Sequence, residues 1–140
     1  MSAVDFPGAA KRHWGDAGHL MTDRRLPNAD QLFGLSAECA LKAVMVGLGM
    51  ALRADGAPDA RKHRVHINEL WDEFLTFASN RGGARYSAHL STLSSPFVDW
   101  DIAQRYAPGS AIMANRVHGH QAGALLAQQC LNAAILDGVI

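Results

Sequence analysis

Asn28-Ala29-Asp30-Gln31-Leu32-Phe33-Gly34-Leu35-Ser36-Ala37-Glu38-Cys39-Ala40-Leu41-Lys42-Ala43-Val44-Met45 is the most apolar long stretch of the chain. Its apolar side chains, Leu32, Phe33, Leu35, Ala37, Ala40, Leu41, Val44 and Met45, with Leu48 beyond, recur at steps of three and four and leave little polar face. Leu26-Pro27 breaks the chain before it, and Asn28 followed by Gln31 reads as a capping box, so the pattern predicts a helix from Asn28 to about Arg53. A helix this apolar belongs in the middle of a bundle or against a partner. Glu38 and Lys42 lie within it, four apart with the acid on the N-terminal side, the favourable order. Buried charges are costly unless paired. The two are therefore expected either as an ion pair that fixes helix register or a dimer contact, or as the orienting pair of a polar cleft.

Helical periodicity continues on both sides of this stretch. Upstream, Trp14, Ala17, Gly18 and Met21 share one face of a helix expected from about Ala9 to Arg25. Downstream, Asp55-Gly56, Pro58 and the basic run Arg61-Lys62-His63-Arg64 read as a loop over 54–65. Leu70, Trp71, Phe74, Leu75 and Ala78 then make one stripe of a helix from about Asn68 to Ala78. Beyond Arg81-Gly82-Gly83, a shorter helix is expected from Ala84 to Leu93, with Tyr86, Leu90 and Leu93 in phase. Ser94-Ser95-Pro96 ends it, and 96–109 read as irregular, anchored by Trp100 and Tyr106. Ser110 is the expected N-cap of a last helix from Ala111 to Asp137, closed by Gly138. No strand alternation, repeat or low-complexity tract interrupts the pattern. The fold expected is a single all-α domain over 1–140, a four- to five-helix up-and-down bundle.

At 140 residues, 49% apolar and 19% charged, the chain can close one core without disulfides or metal, and it is not a disordered linker. Cys39 and Cys130 sit in helical, apolar contexts and read as free buried thiols. The first twenty residues hold Asp5, Lys11, Arg12 and Asp16 and no apolar signal core. The run from Ala43 to Leu52 is about half the length of a membrane span. A cytoplasmic protein without membrane contact is expected. Lys plus Arg and Asp plus Glu number 13 each, so no global basic field holds nucleic acid, and any RNA contact must be local.

Arg12-His13-Trp14-Gly15-Asp16-Ala17, then Leu26-Pro27-Asn28-Ala29-Asp30, then Gly34-Leu35-Ser36-Ala37-Glu38-Cys39-Ala40-Leu41-Lys42-Ala43 resembles the HEPN family of nucleotide-binding helical bundles over about the first third of the chain. The resemblance implies a dimeric bundle of four or five helices. Some HEPN proteins are metal-independent ribonucleases, often toxins, with an arginine followed after four to six residues by a histidine at the dimer cleft. Others lack that motif and bind RNA, a nucleotide or a protein partner, sometimes beside a nucleotidyltransferase.

Arg116-Val117-His118-Gly119-His120 stands where the resemblance would place the catalytic pair. A histidine can move a proton near neutral pH and an arginine can brace a phosphate, so Arg116 and His120, which share a helix face, are the candidate catalytic residues. The interval between them is one residue short of the family pattern. His120 is also in phase with Met113, Val117, Ala124 and Leu131, which fits a core or interface histidine equally. Arg61 to His66 has the family interval but lies in a loop. With Arg64 it reads as a solvated basic loop or as a local phosphate patch. Arg85 and His89 are a third pair with nothing beyond their spacing. The candidate binding residues are thus Glu38, Lys42, Arg61, Arg64, His66 and His118. Rings at His118 and His120 point about 200° apart on a helix and no HExxH or Cys/His set is present, so neither metal nor cofactor is expected. Glycine-rich phosphate loops and nucleophile elbows are also absent.

The function expected is a non-catalytic module binding RNA, a nucleotide or a protein partner as a homodimer, since the second and last helices carry more apolar surface than one small bundle readily buries. The alternative is a metal-independent ribonuclease using Arg116 and His120. Replacing Glu38 by Ala strands Lys42, and should lower the unfolding free energy by well over the about 0.5 kcal/mol typical of a surface change. Urea denaturation of the two proteins measures it, and an unchanged midpoint would place the pair in solvent.

Overall fold

The computed structural model describes residues 4–90 and 94–140. Its α-helices are α1 (Phe6–Thr22), α2 (Leu26–Gly47), α3 (Ile67–Asn80), the single turn α4 (Ala84–Ser87) and α5 (Ala114–Leu136). Among the described residues there is no strand beyond an isolated bridge between Leu52 and Pro58, so the fold is all-α. No helix among them is long and apolar enough to cross a membrane.

Helix α2 lies at the centre, packed against α1, α3 and α5, as its apolar circumference demands. Phe33, Ala37, Ala40, Leu41, Val44 and Met45 are all buried. On α1, Ala17 is buried and Trp14 meets Phe33 edge-on, ring centres 5.5 Å apart. On α3, Leu70, Trp71, Phe74 and Ala78 are buried as their stripe predicts, joined by Phe77. A polar knot crosses the bundle where α1, α2 and α5 meet. Ser36 Oγ donates to the Ala10 carbonyl at 2.8 Å, and Gln128 Nε2 donates to that carbonyl at 3.1 Å and to Ser36 Oγ at 2.7 Å. Each buried polar side chain of the knot thereby finds a partner. Both cysteines are free. Burial, with Glu38 next, pushes the Cys39 thiol up to about 11, and burial pushes Cys130 up to about 12, so neither is a ready thiolate.

Helix ends depart from the sequence pattern in several places. Helix α1 begins at Phe6 rather than Ala9, because the Asp5 carboxylate accepts the Gly8 N–H at 2.9 Å and Pro7 fits the first turn. It stops at Thr22 rather than Arg25. Arg24 takes a left-handed conformation (φ 62°), and Arg25 N–H closes onto the Leu20 carbonyl at 2.7 Å. The chain turns so tightly there that α2 starts at once, with Arg25 as its N-cap, Pro27 in its first turn and Asn28 already inside it. The capping box expected at Asn28 does not form. At the far end α2 stops at Gly47, short of Arg53. Gly49, at φ 99°, lets Met50 N–H reach the Met45 carbonyl at 2.9 Å and fold Met50 into the core.

The expected helix from Ala84 to Leu93 narrows after Ser87 into a 3-10 turn, Ala88–Leu90; Leu93 lies outside the described residues. Helix α5 begins at Ala114, not Ala111, and Ser110 sits in a preceding 3-10 turn, Gly109–Ala111. Ile112 is the cause: extended at φ −105°, ψ 106°, it turns its side chain into the core just before the helix. Within the segment expected to be irregular, Ile102–Tyr106 forms a 3-10 turn capped by Asp101. Trp100 anchors it as expected, 1% exposed, but Tyr106 is 79% exposed with the Arg105 guanidinium over its ring, and anchors nothing. Met113, in phase with His120 by sequence, is likewise exposed.

Trp100 enters the bundle through the gap left by Gly34, where any Cβ would collide with the indole at Cε2 and Nε1. Gly34→Ala should therefore cost about 1–3 kcal/mol or more and shift the tryptophan emission as Trp100 is displaced. Gly119→Ala, whose Cβ would meet nothing within 4 Å, should be neutral or stabilise by up to about 1 kcal/mol. Chemical denaturation read by fluorescence compares the two.

Candidate functional site

Asp30, Gly34, Glu38 and Lys42 follow one another at intervals of four along α2 and so form one slowly turning stripe on its surface. All four are buried. The indole of Trp100 fills the Gly34 gap and donates its N–H to the Asp30 carbonyl at 3.0 Å. On either side of Trp100 lies a cluster of charged groups.

The first is centred on His120. The Nδ1 atom lies 2.6 Å from Asp30 Oδ1 and Nε2 lies 2.7 Å from Asp99 Oδ1. An ionised carboxylate can only accept hydrogen bonds, so a ring set between two of them is in the arrangement that favours an imidazolium donating from both nitrogens. Burial alone would lower the pKa of this ring. The hydrogen bonds and charges of Asp30, then of Asp99, outweigh that cost and hold it above the usual histidine value. Phe97 stacks on the ring, planes 15° apart and centres 5.3 Å apart. Gln104 donates its side-chain amide to the second oxygen of Asp30, which is fully buried. On the open side, Arg116 Nε stands 3.5 Å from Asp99 Oδ2. The charges thus alternate along Asp30, His120, Asp99 and Arg116. Beside them is a pocket of 430 Å³ lined by Pro96, Asp99, Met113, Asn115, Arg116, Gly119 and His120.

The second cluster is centred on Glu38. Lys42 Nζ lies 3.1 Å from Oε2 and His66 Nδ1 lies 2.9 Å from Oε1. His66 is the N-cap residue of α3, so this contact ties α3 to α2. The hydrogen bond to Glu38 raises the His66 pKa against the effects of burial, Lys42 and Arg105. The ring centre of His66 is 6.4 Å from that of Trp100. His13 of α1 also feels Glu38, but burial and Arg12 carry its pKa below the usual value.

The candidate residues named from the sequence thus fall into three groups. Arg116 and His120 converge, but through Asp99 rather than directly. Glu38, Lys42 and His66 form one cluster. Arg61, Arg64 and His118 join neither: Arg61 and His118 are exposed, and Arg64 Nη1 donates to the carbonyls of Pro58 and Asp59 at 3.2 and 2.9 Å, bracing its own loop. Arg85 pairs with Asp137 at 3.3 Å, beside the Tyr86 hydroxyl that donates to the same carboxylate at 2.8 Å. Asp30, Asp99 and Gln104 were not singled out. For Asp30 the interval of four to Gly34, Glu38 and Lys42 was a usable signal; Asp99 carries none. Asp30 and Asp99 each bond to His120, through different ring nitrogens, and among the described residues no three His, Cys, Asp or Glu side chains are placed to hold a metal ion.

No protein-family model, curated protein or solved structure matches the chain.

A folded-state histidine pKa above its unfolded value contributes stability that is complete below the unfolded value and is lost as pH rises through the folded one. His120 and His66 both act in that sense. His13 and His63, both lowered mainly by burial, act in the opposite sense at acid pH. The urea midpoint should therefore fall as pH rises above about 6.5, and in Asp99→Asn, which removes one of the two supporting charges and so lowers only the folded-state value, the fall should be smaller and should end at lower pH. A wild-type midpoint that climbs through the same range would show that His120 is not the imidazolium of this network.

Proposed function

We propose that the chain is a HEPN-like helical module that binds RNA, a nucleotide or a protein partner without catalysing a reaction, and that it does so as a homodimer. The observation that carries this reading is the engagement of both nitrogens of His120. A general base needs a free lone pair on its ring, and this ring has none while Asp30 and Asp99 hold it. The arginine that would brace a phosphate faces the same Asp99 carboxylate. The HEPN-like part of the proposal draws on the Asp16-Ala17 step of α1 and on the Ala37-Glu38-Cys39-Ala40-Leu41-Lys42-Ala43 core of the central α2. The dimer draws on the outer surface of α5 and the chain end after it, where Leu125, Leu136 and Ile140 remain exposed.

One observation favours the metal-independent ribonuclease as the second reading: Arg116 and His120 line the same pocket. Incubation of mixed single-stranded RNA with the pure protein in excess chelator separates the two. The binding reading expects intact RNA with wild type, Arg116→Ala and His120→Ala alike. Cleavage by wild type that both substitutions abolish would establish the ribonuclease instead.

A further inference from the structure

A cavity of 760 Å³ opens between the first turn of α1, the last turn of α2, the loop over 52–56 and the residues after α5, and it shares no residue with the pocket beside His120. Its volume is in the range of small-molecule sites. The walls are hydrocarbon: Phe6, Val46 and Val139 pack against the core, whereas Val4, Leu52 and Ile140 remain exposed. Large apolar side chains left exposed together around a concavity mark a contact with something other than water. The rim is a fixed turn. Arg53 N–H donates to the Ala57 carbonyl at 2.7 Å, Gly56 N–H to the Arg53 carbonyl at 2.9 Å, and the Asp55 carboxylate accepts the Ala57 N–H at 3.0 Å. Gly56, left-handed at φ 87°, brings this turn against Val4, with which any Cβ there would collide. The mouth therefore keeps its shape without a ligand, and little order has to be gained on binding. Polar groups converge on the same rim. The Arg53 guanidinium stands 3.6 Å from Asp55 Oδ2, beyond hydrogen-bond reach, and its donors find no acceptor among the described residues. The successive N–H groups of Ala54 and Asp55, at the tip of the turn, likewise find none among the described residues.

We propose that this cavity is a binding site for an aliphatic monocarboxylate, a fatty acid whose hydrocarbon chain lies among Phe6, Val46, Leu52 and Ile140 and whose carboxylate meets Arg53 at the rim. The site goes beyond the binding reading above and does not depend on it. The walls select the body of the ligand, because they offer a polar body no hydrogen-bond partner and a hydrocarbon chain an escape from water. The rim selects the head. A carboxylate presents two oxygens to the guanidinium fork, and successive unbonded backbone N–H groups favour an anion. An alkylammonium would meet Arg53 with like charge. A phosphate monoester would set nearly two negative charges beside Asp55, whereas a carboxylate brings one. Asp55 is committed to the turn through its bond to Ala57 N–H, so Arg53 is the group of the pair left to bind.

The test is fluorescence titration of the protein with a dansyl-labelled undecanoic acid, followed by displacement with dodecanoate or dodecanol below their aggregation limits. Wild type is compared with Arg53→Gln and Leu52→Glu, both at exposed rim residues, and with Val98→Glu, which places the same charge on an exposed apolar residue outside the cavity. Circular dichroism and thermal midpoints verify that each is folded. Wild type and Val98→Glu should take up the probe saturably and release it to dodecanoate. Arg53→Gln should weaken dodecanoate about tenfold and leave dodecanol unchanged, and Leu52→Glu should weaken both. Absence of saturable uptake, or uptake that Leu52→Glu leaves intact, would overturn the site. Dodecanol that competes as well as dodecanoate, with Arg53→Gln without effect, would overturn the carboxylate assignment. Displacement by a leucine-rich helical peptide and not by dodecanoate would overturn it too, and would make the occupant a protein segment.

Discussion

Asp30 is a carboxylate with no exposure in the middle of a helical bundle, and the structure around it is arranged to answer its charge. Taking such a group out of water costs several kcal/mol, which is regained only when close opposite charge and hydrogen bonds surround it. His120 supplies the charge from α5 and Gln104 supplies an amide from the 3-10 turn over Ile102–Tyr106, while the neighbouring backbone carbonyl takes the Trp100 indole. Trp100, Gln104 and His120, 70 to 90 residues from Asp30 in sequence, are thereby drawn to one point on α2. A charged pair of this kind does more to specify one arrangement than to stabilise it. Apolar contacts would tolerate small slides of α5 along α2, whereas two hydrogen bonds below 3 Å on one ring would not.

The same helix shows how polar groups are kept inside an apolar element. Its buried stripe alternates what would be costly with what relieves the cost. Asp30 finds His120, Gly34 makes room for Trp100, and Glu38 meets both Lys42 and His66. On the opposite face of α2, Ser36 joins Gln128 on a carbonyl of α1. Every neighbour of α2 is consequently fastened by at least one directed bond as well as by packing: α1 at Ala10, α3 at His66, α5 at His120 and Gln128. The segment over 95–107, which has no long helix of its own, is fixed by Phe97 and Trp100 and not by the exposed Tyr106.

A neutral chain with much of its buried charge paired internally has little field left to capture a ligand at a distance. The binding reading proposed for the chain looks instead to groups at the rim of these networks, where one partner is buried and the other reaches solvent. Asp99 and His66 are such partners, each about half exposed and each bonded to a group that is nearly sealed. The interior member is held by its burial, and the outer member is the part of each network that solvent reaches. This division of labour is what links the construction of the core to the binding function proposed for the protein.

Much of the fold was legible in the residues alone. The spacing of Leu32 through Met45 implied a central helix, Leu70 through Ala78 another, and Gly138 the end of the last, because helix periodicity and left-handed caps are local properties of a few neighbouring residues. The interval between Glu38 and Lys42 likewise announced their pairing, and that between Arg116 and His120 their shared face. The tight turn at Arg24 was hidden because an arginine stands where a glycine is usual, and the late start of α5 because only the core pulls Ile112 inward. The partners of His120 and His66 were hidden for a deeper reason. Ion pairing depends on distance and on exclusion of water, and neither exists along an unfolded chain: Asp30, Asp99 and His120 acquire a common environment only once α2 and α5 are packed together. The sequence by itself thus determined which helices form and which of their faces are apolar. The tertiary structure alone decided which charges meet, since the low-dielectric interior that makes such a meeting strong is itself a product of folding.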